Sequence, residues 1–68
     1  MEAHAYEEAA ALFRIAAHDQ PEEARYHLAL GRALARNPRT TREAVEAFEK
    51  AARLAPSDAT AHIELARV

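Results

Sequence analysis

Histidine is the residue type in this sequence that first suggests chemistry, because imidazole is a common zinc ligand. The four histidines are His4, His18, His27 and His62. No two of them stand four residues apart, the spacing that places a ligand pair on one helical face. His27 and His62 recur at the same position of an internal repeat, where packing explains them. We therefore predict no metal site and no cofactor.

Nucleophilic and acid–base catalysis lack their usual residues. The sequence has no cysteine, Ser57 is its only serine, and Gly31 is its only glycine, so it has neither a thiolate nor a glycine-rich phosphate loop. The acidic pairs 7–8 and 22–23 are adjacent residues, which point apart on a helix and suit helix N-termini better than a shared proton. We predict that the protein is not an enzyme and has no catalytic residue.

Arginine offers a binding chemistry instead. Arg25, Arg32 and Arg36 lie within residues 24–36, a segment without any acidic residue. Guanidinium groups bind carboxylates through two parallel hydrogen bonds, so this segment favours an acidic partner. An alternative role is that these arginines stabilise the negative C-terminal ends of helices. The formal net charge of −2 and the absence of aromatic residues interleaved with arginine argue against nucleic acid.

Membrane association and secretion have no sequence signal. No apolar run approaches the length of a bilayer-spanning helix. The first residues, Met1 to His4, show neither the basic segment nor the hydrophobic stretch of a secretory signal. We expect a soluble, cytoplasmic protein with no membrane partner.

The sequence repeats itself with a period of 35 residues. The ten identical pairs are Glu8/Glu43, Ala9/Ala44, Phe13/Phe48, Ala16/Ala51, Ala17/Ala52, Pro21/Pro56, Ala24/Ala59, His27/His62, Leu30/Leu65 and Arg32/Arg67. The proline, phenylalanine, histidine and leucine pairs are the informative ones, since alanine matches follow from composition alone. A period of this size is typical of a helical solenoid, in which each unit buries its apolar face against its neighbours.

Four helices are predicted from helical spacing and breakers, over residues 3–18, 21–36, 41–54 and 58–68. Pro21 suits a first helical turn, and Asn37-Pro38 ends the second helix. Thr40 and Glu43 have the spacing of a capping box, and Ser57 is a reasonable N-cap for the fourth helix. Alanine supplies most of the apolar residues, so the helices must pack closely, with Phe13, Leu30 and Phe48 expected in the core.

The repeated residues resemble the tetratricopeptide repeat. Its pattern of a bulky residue, Leu-Gly, a large residue, then Ala, an aromatic, Ala and Pro matches His27, Leu30, Gly31, Leu34, Ala44, Phe48, Ala51 and Pro56. The resemblance implies an all-α fold of antiparallel helix hairpins, stacked as a short right-handed solenoid. It divides the single domain, residues 1–68, into the second helix of a leading repeat (3–19), a complete repeat (22–56) and the first helix of a trailing repeat (58–68).

The resemblance also implies a binding surface, because the first helix of each such repeat lines a concave groove that holds peptides. The residues expected there are Arg25, Leu28, Ala29, Arg32 and Arg36, with Thr60, Ile63, Glu64 and Arg67 from the trailing repeat. The expected partner is a protein or peptide with acidic or carboxylate groups and apolar side chains. The family's carboxylate clamp is not reproduced, since Ala29 and Glu64 stand where it needs polar or basic residues.

A second function remains open. Arrays of fewer than about three such repeats are seldom stable alone, because their end faces lack partners. The alternative hypothesis is therefore a homo-oligomerisation module that pairs through its open repeat ends across a symmetry axis.

Overall fold

A computed structural model describes the backbone of residues 3–68 and the side chains of residues 5–68. Within that part of the chain the helices are α1 (Ala3–Asp19), α2 (Ala24–Leu34), α3 (Thr41–Leu54) and α4 (Thr60–Arg67), and a short 3₁₀ turn (Pro38–Thr40) precedes α3. Met1, Glu2 and the His4 side chain, used in the arguments on secretion and metal, lie outside the described residues. The all-α class and the helical-repeat architecture are confirmed.

Each helix packs mainly against the next one along the chain: α1 on α2, α2 on α3, and α3 on α4. The connections between them are short, as they are between antiparallel neighbours in helical hairpins. The predicted bounds are matched by α3 and, within one residue, by α1.

The core is centred on Phe48 and Ala44, which are both completely buried. The rest of the central cluster consists of Ala10, Ala33 and Leu34, bordered by the partly buried Leu28 and Leu30. A second, smaller cluster of Ala51, Ala52 and Ala61 joins α3 to α4. As expected from the alanine content, small side chains let the helices approach closely around one large aromatic ring.

Gly31 is required at the closest approach of α2 and α3. A Cβ atom at this position would lie 2.6 Å from Cε1 and 2.7 Å from Cδ1 of Phe48. The absence of a side chain on Gly31 therefore provides the space in which the Phe48 ring is buried.

The predicted capping box at the start of α3 is wrong. The Thr40 hydroxyl donates to the backbone carbonyls of Leu34 (2.6 Å) and Asn37 (3.1 Å) and makes no capping bond to α3. Thr40 thus satisfies a carbonyl at the end of α2, where helices leave acceptors unpaired. The Asn37 side chain accepts from the Arg39 amide at 3.0 Å, which closes the same turn.

The predicted start of α2 is also wrong. Residues 21–23 form a turn, and α2 begins at Ala24. The buried His27 accounts for the difference, because its Nε2 donates to the Pro21 carbonyl at 2.9 Å and holds the turn against the helix. At its other end α2 stops at Leu34, two residues before the predicted end.

The predicted N-cap at Ser57 and the α4 start at residue 58 need the same kind of correction. The helix begins at Thr60, and the Asp58 carboxylate accepts both the Thr60 amide (2.9 Å) and the Thr60 hydroxyl (2.7 Å). An aspartate that bonds the amide two residues later forms an Asx turn. Asp58, rather than Ser57, therefore sets the start of α4.

Candidate functional site

A cleft of about 640 Å³ lies between the C-terminal halves of α2 and α4, with α3 as its floor. Its lining residues are Arg32, Ala35, Arg36, Thr41, Phe48, Glu64, Arg67 and Val68. Four of the nine residues predicted for the groove, Arg32, Arg36, Glu64 and Arg67, are therefore brought together here. Phe48 is completely buried beneath them, so the charged side chains dominate the surface that a partner would meet.

Glu64 organises the positive charges of the cleft. Arg32 Nε donates to Glu64 Oε2 at 2.7 Å, and Arg67 NH1 lies 4.0 Å from Glu64 Oε1. The Glu64 side chain is only 16% exposed, whereas Arg32 and Arg67 are 58% and 73% exposed. A shielded carboxylate thus orients the guanidinium of Arg32 and attracts that of the more exposed Arg67, and the other N–H groups of both remain available.

Arg36 is positioned by an aromatic ring. Its guanidinium carbon lies 5.1 Å from the ring centroid of Tyr6 on α1, within the range of a cation–π interaction. The cleft therefore contains three arginines against one acidic side chain, Glu64, so its side-chain charge is positive although the chain as a whole is negative.

A second depression, of about 280 Å³, lies between α1 and α2 on the other side of Arg32 and Arg36. Its lining residues are Tyr6, Ala9, Phe13, Ala29, Arg32, Ala33 and Arg36. Ala29, also predicted for the groove, is found here. Arg32 and Arg36 border both depressions and form a positive ridge between them.

The remaining predicted groove residues lie elsewhere. Arg25 and Leu28 line a cavity of about 40 Å³ near the α3–α4 connection, and Leu28 packs against both core clusters. Arg25 is 82% exposed and bonds Glu23 at 3.3 Å, which lowers the pKa of the Glu23 carboxyl and raises that of Arg25. Ile63 is 56% exposed and lines none of these depressions, and Thr60 is held by Asp58.

Sequence reasoning missed Tyr6, Ala35, Thr41 and Val68. Tyr6 stands seven residues before Phe13 on the same helical face, which marks it as a residue that packs against a neighbouring helix. Its contact with Arg36, thirty residues later, has no signal in the sequence. Ala35 and Thr41 carry no signal of their own; they flank the turn that brings α2 back onto α3.

The arginines that line the cleft have the chemistry of anion recognition.

Among the described side chains, no group of three His, Asp or Glu residues is arranged to bind a metal ion. Within residues 3–68, no helix has both the length and the apolar character needed to cross a bilayer.

Comparison with known proteins agrees with this architecture. The tetratricopeptide repeat family matches residues 1–59 and, a second time, residues 41–68. No curated protein and no solved structure matches the chain at a significant level. Repeats of this family generally mediate protein–protein interactions and are non-catalytic scaffolds. The two family matches together with the stacked helices show that the chain belongs to the tetratricopeptide repeat family.

Proposed function

We propose that this chain is a protein-binding module whose cleft between α2 and α4 takes an acidic peptide segment of a partner. The observation that carries the proposal is that Arg32, Arg36 and Arg67 line one cleft, in which Glu64 is the one acidic side chain. Carboxylates of a partner would bind the outward N–H groups of these arginines through charge-assisted hydrogen bonds.

The arginines are suited to this role because their own partners leave them only partly satisfied. Arg32 bonds Glu64 through Nε, which leaves the two terminal nitrogens of a largely exposed guanidinium. Arg36 contacts an aromatic face, which fixes its position without using its N–H donors. A partner carboxylate therefore meets donors that are already oriented, and this lowers the entropy cost of binding.

The partner should be acidic with few large apolar side chains. The cleft surface is more polar than apolar, since Phe48 is fully buried beneath the charged side chains. Affinity should therefore fall as salt is added, because exposed charge pairs are screened over about 10 Å at 0.1 M ionic strength.

The test uses a short fluorescein-labelled peptide of alternating Glu and Ser residues, with a Gln and Ser peptide for comparison, followed by fluorescence polarisation. We expect the Glu peptide to bind and the Gln peptide not to bind. The double variant Arg36→Glu/Arg67→Glu should lower the affinity by at least about tenfold, since hydrogen bonds to charged groups are each worth about 1.5–3 kcal/mol.

Arg25→Glu is the matched control. It makes the same charge reversal at one site, on α2, but Arg25 lies outside the cleft and pairs with its neighbour Glu23. Equal loss of binding in Arg25→Glu and in the double variant would refute the cleft and leave a general charge effect. Equal binding of the Glu and Gln peptides would refute the acidic partner.

A further inference from the structure

Glu64 is the most shielded carboxylate in the ion pairs of the described part of the chain. Its side chain is 16% exposed, against 35% for Glu23 and 52% for Glu43. One of its oxygens accepts from Arg32 Nε at 2.7 Å, and the other lies 4.0 Å from a terminal nitrogen of Arg67. The Glu64 carboxylate therefore lies between two guanidinium groups, one on α2 and one on its own helix, α4.

The packing of the helices does not require a carboxylate at this position. The residue equivalent to Glu64 in the 35-residue repeat is Ala29 on α2, whereas the arginine recurs in both units, as Arg32 and Arg67. Arg32 is 58% exposed, and an ion pair with an exposed member adds little to stability because water and salt screen it. Glu64 is therefore better explained by the cleft that it lines than by the stability of the fold.

A carboxylate of a partner would need the same hydrogen-bond donors that Glu64 uses. The position from which one carboxylate reaches both Arg32 and Arg67 is already occupied by Glu64. A second carboxylate placed there would be repelled by the first, since like charges a few ångströms apart disfavour each other strongly in a partly shielded site. A partner can therefore use all the donors of Arg32 only when Glu64 moves away.

We propose that Glu64 is an internal competitor of the partner, which binds by displacing the Glu64 carboxylate from Arg32. This inference rests on the proposed function of the cleft. Exchanging one arginine–carboxylate pair for another gains little free energy, so a segment with a single acidic residue should bind weakly. A segment with several acidic residues also gains pairs with Arg36, which is held against the Tyr6 ring, and with Arg67. The partner class is thus a segment with clustered acidic residues.

The test variant is Glu64→Gln, which keeps the size of the side chain and an oxygen for Arg32 Nε but removes the charge. Fluorescence polarisation follows binding of two labelled peptides, the alternating Glu and Ser peptide and a version that keeps one Glu and has Gln at the other Glu positions. Both affinities should rise by at least about tenfold, because a charge-assisted pair no longer has to be broken. The single-Glu peptide, bound weakly by the wild-type chain, should then bind clearly.

Glu43→Gln is the matched control. It makes the same charge change and also removes an ion pair between two helices, the 2.9 Å contact with Arg14, but Glu43 does not line the cleft. This variant should bind both peptides like the wild-type chain. Circular dichroism of each variant checks that the helices are intact.

The background variant Arg32→Gln tests whether the competition is for Arg32. In a chain that already carries Arg32→Gln, the further change Glu64→Gln should raise the affinity much less than it does in the wild-type chain, because the contested guanidinium is gone. A gain of the same size in both backgrounds would mean that Glu64 only repels acidic peptides in general, and the competitor would be refuted.

Two other results would also overturn the inference while leaving the cleft in place. Unchanged or weaker peptide binding by Glu64→Gln would mean that Glu64 does no more than hold Arg32 in position. An equal gain in Glu43→Gln would reduce the effect to the net charge of the chain. Failure of the proposed function looks different, because Arg36→Glu/Arg67→Glu would then bind the peptides as well as the wild-type chain does.

Discussion

Phe48 and Phe13 occupy the same position of the repeat, yet Phe48 is completely buried and Phe13 only partly. The same contrast separates His27, which is 7% exposed, from the exposed His62. In each pair the residue type and the position in the repeat are the same. The difference is the neighbour: Phe48 has α2 packed over it, whereas the equivalent face of α1 has no helix over it among the described residues.

This contrast shows that in a stacked repeat the sequence specifies which face of a helix can be buried, and the adjacent unit determines whether it is. Stability is then close to a sum of terms between nearest neighbours. The contact between α2 and α3, which buries Phe48, should carry the largest share of the stability of this chain, and the exposed helix faces should contribute little to it.

The largest expected effect comes from truncating the two phenylalanines. Phe48→Ala should cost about 3–5 kcal/mol, the usual range for removing a buried aromatic ring, and at this chain length that approaches the whole stability of the domain. Phe13→Ala should cost clearly less, because part of its ring is already in solvent. Urea denaturation followed by circular dichroism measures both.

Phe48→Leu provides a milder change in case Phe48→Ala does not fold. It should lower the urea midpoint more than Phe13→Leu does. Equal losses at the two positions would mean that the contact of Phe48 with α2 contributes no more to stability than the partly exposed Phe13 does. That result would contradict the comparison between the two phenylalanines.

A smaller effect is expected at Gly31 and its equivalent Ala66. Gly31→Ala places a Cβ 2.6 Å from the Phe48 ring, and overpacking of this kind costs about 1–3 kcal/mol. Ala66→Gly should cost at most about 1 kcal/mol, from the helix propensity of glycine alone. Thermal unfolding of the two variants, measured at equal concentration, separates these causes; a stabilised Gly31→Ala would show that the α2–α3 contact has room to spare.

The helices predicted accurately from the sequence are α1 and α3, whose apolar residues recur at helical spacing along their length. Asn37-Pro38 ends α2 within two residues, and α3 begins and ends as predicted because its apolar stripe is continuous. Phe48 was predicted as core because helical spacing places it opposite the charged residues of α3. These signals are local, so one sequence is enough to read them.

The errors occur where several local options compete. Thr40 could cap α3 or satisfy the end of α2, and the fold selects the second because the Leu34 carbonyl lies 2.6 Å away. In the candidate site, helical phase grouped Arg32, Arg36 and Arg67, and the structure places these three side chains along one cleft. It could not distinguish them from Arg25, because Arg25 and Arg32 are seven residues apart on the same face of α2. Only the packing of α3 and α4 gives the two arginines different surroundings.

The third comparison concerns His27 and His62. His27→Leu replaces the imidazole with an apolar side chain of similar size and removes the N–H that donates to the Pro21 carbonyl at 2.9 Å. The expected loss in the free energy of unfolding is about 0.5–1.5 kcal/mol, the net value of one hydrogen bond. His62→Leu should be nearly neutral, because His62 is exposed. The measurement is the free energy of unfolding in urea at neutral pH; equal values for the two variants would show that the bond to Pro21 contributes nothing.

The smallest effect is a pH response at the starts of α2 and α4, where Glu23 and Asp58 are equivalent. Hydrogen bonds from the Thr60 hydroxyl and amide lower the pKa of the Asp58 carboxyl, and Arg25 lowers that of Glu23. A carboxyl whose pKa is lower in the folded state stabilises the fold fully above its ordinary pKa of about 4 and loses this contribution as the pH falls through the lowered value. Asp58 is exposed and the Glu23 side chain is 35% exposed, so the change in global stability should be small.

The local response at Asp58 should nevertheless be clear in the NMR signal of the Thr60 amide. This signal should shift as the pH falls below about 4 in the wild-type chain. It should stay constant in Asp58→Asn, whose amide oxygen still accepts the hydrogen bond but does not titrate. At the start of α2, Glu23→Gln should remove only the pairing with Arg25, since this helix begins without a side-chain cap from Glu23. A Thr60 signal that titrates equally in Asp58→Asn would mean that a carboxylate other than Asp58 controls the start of α4.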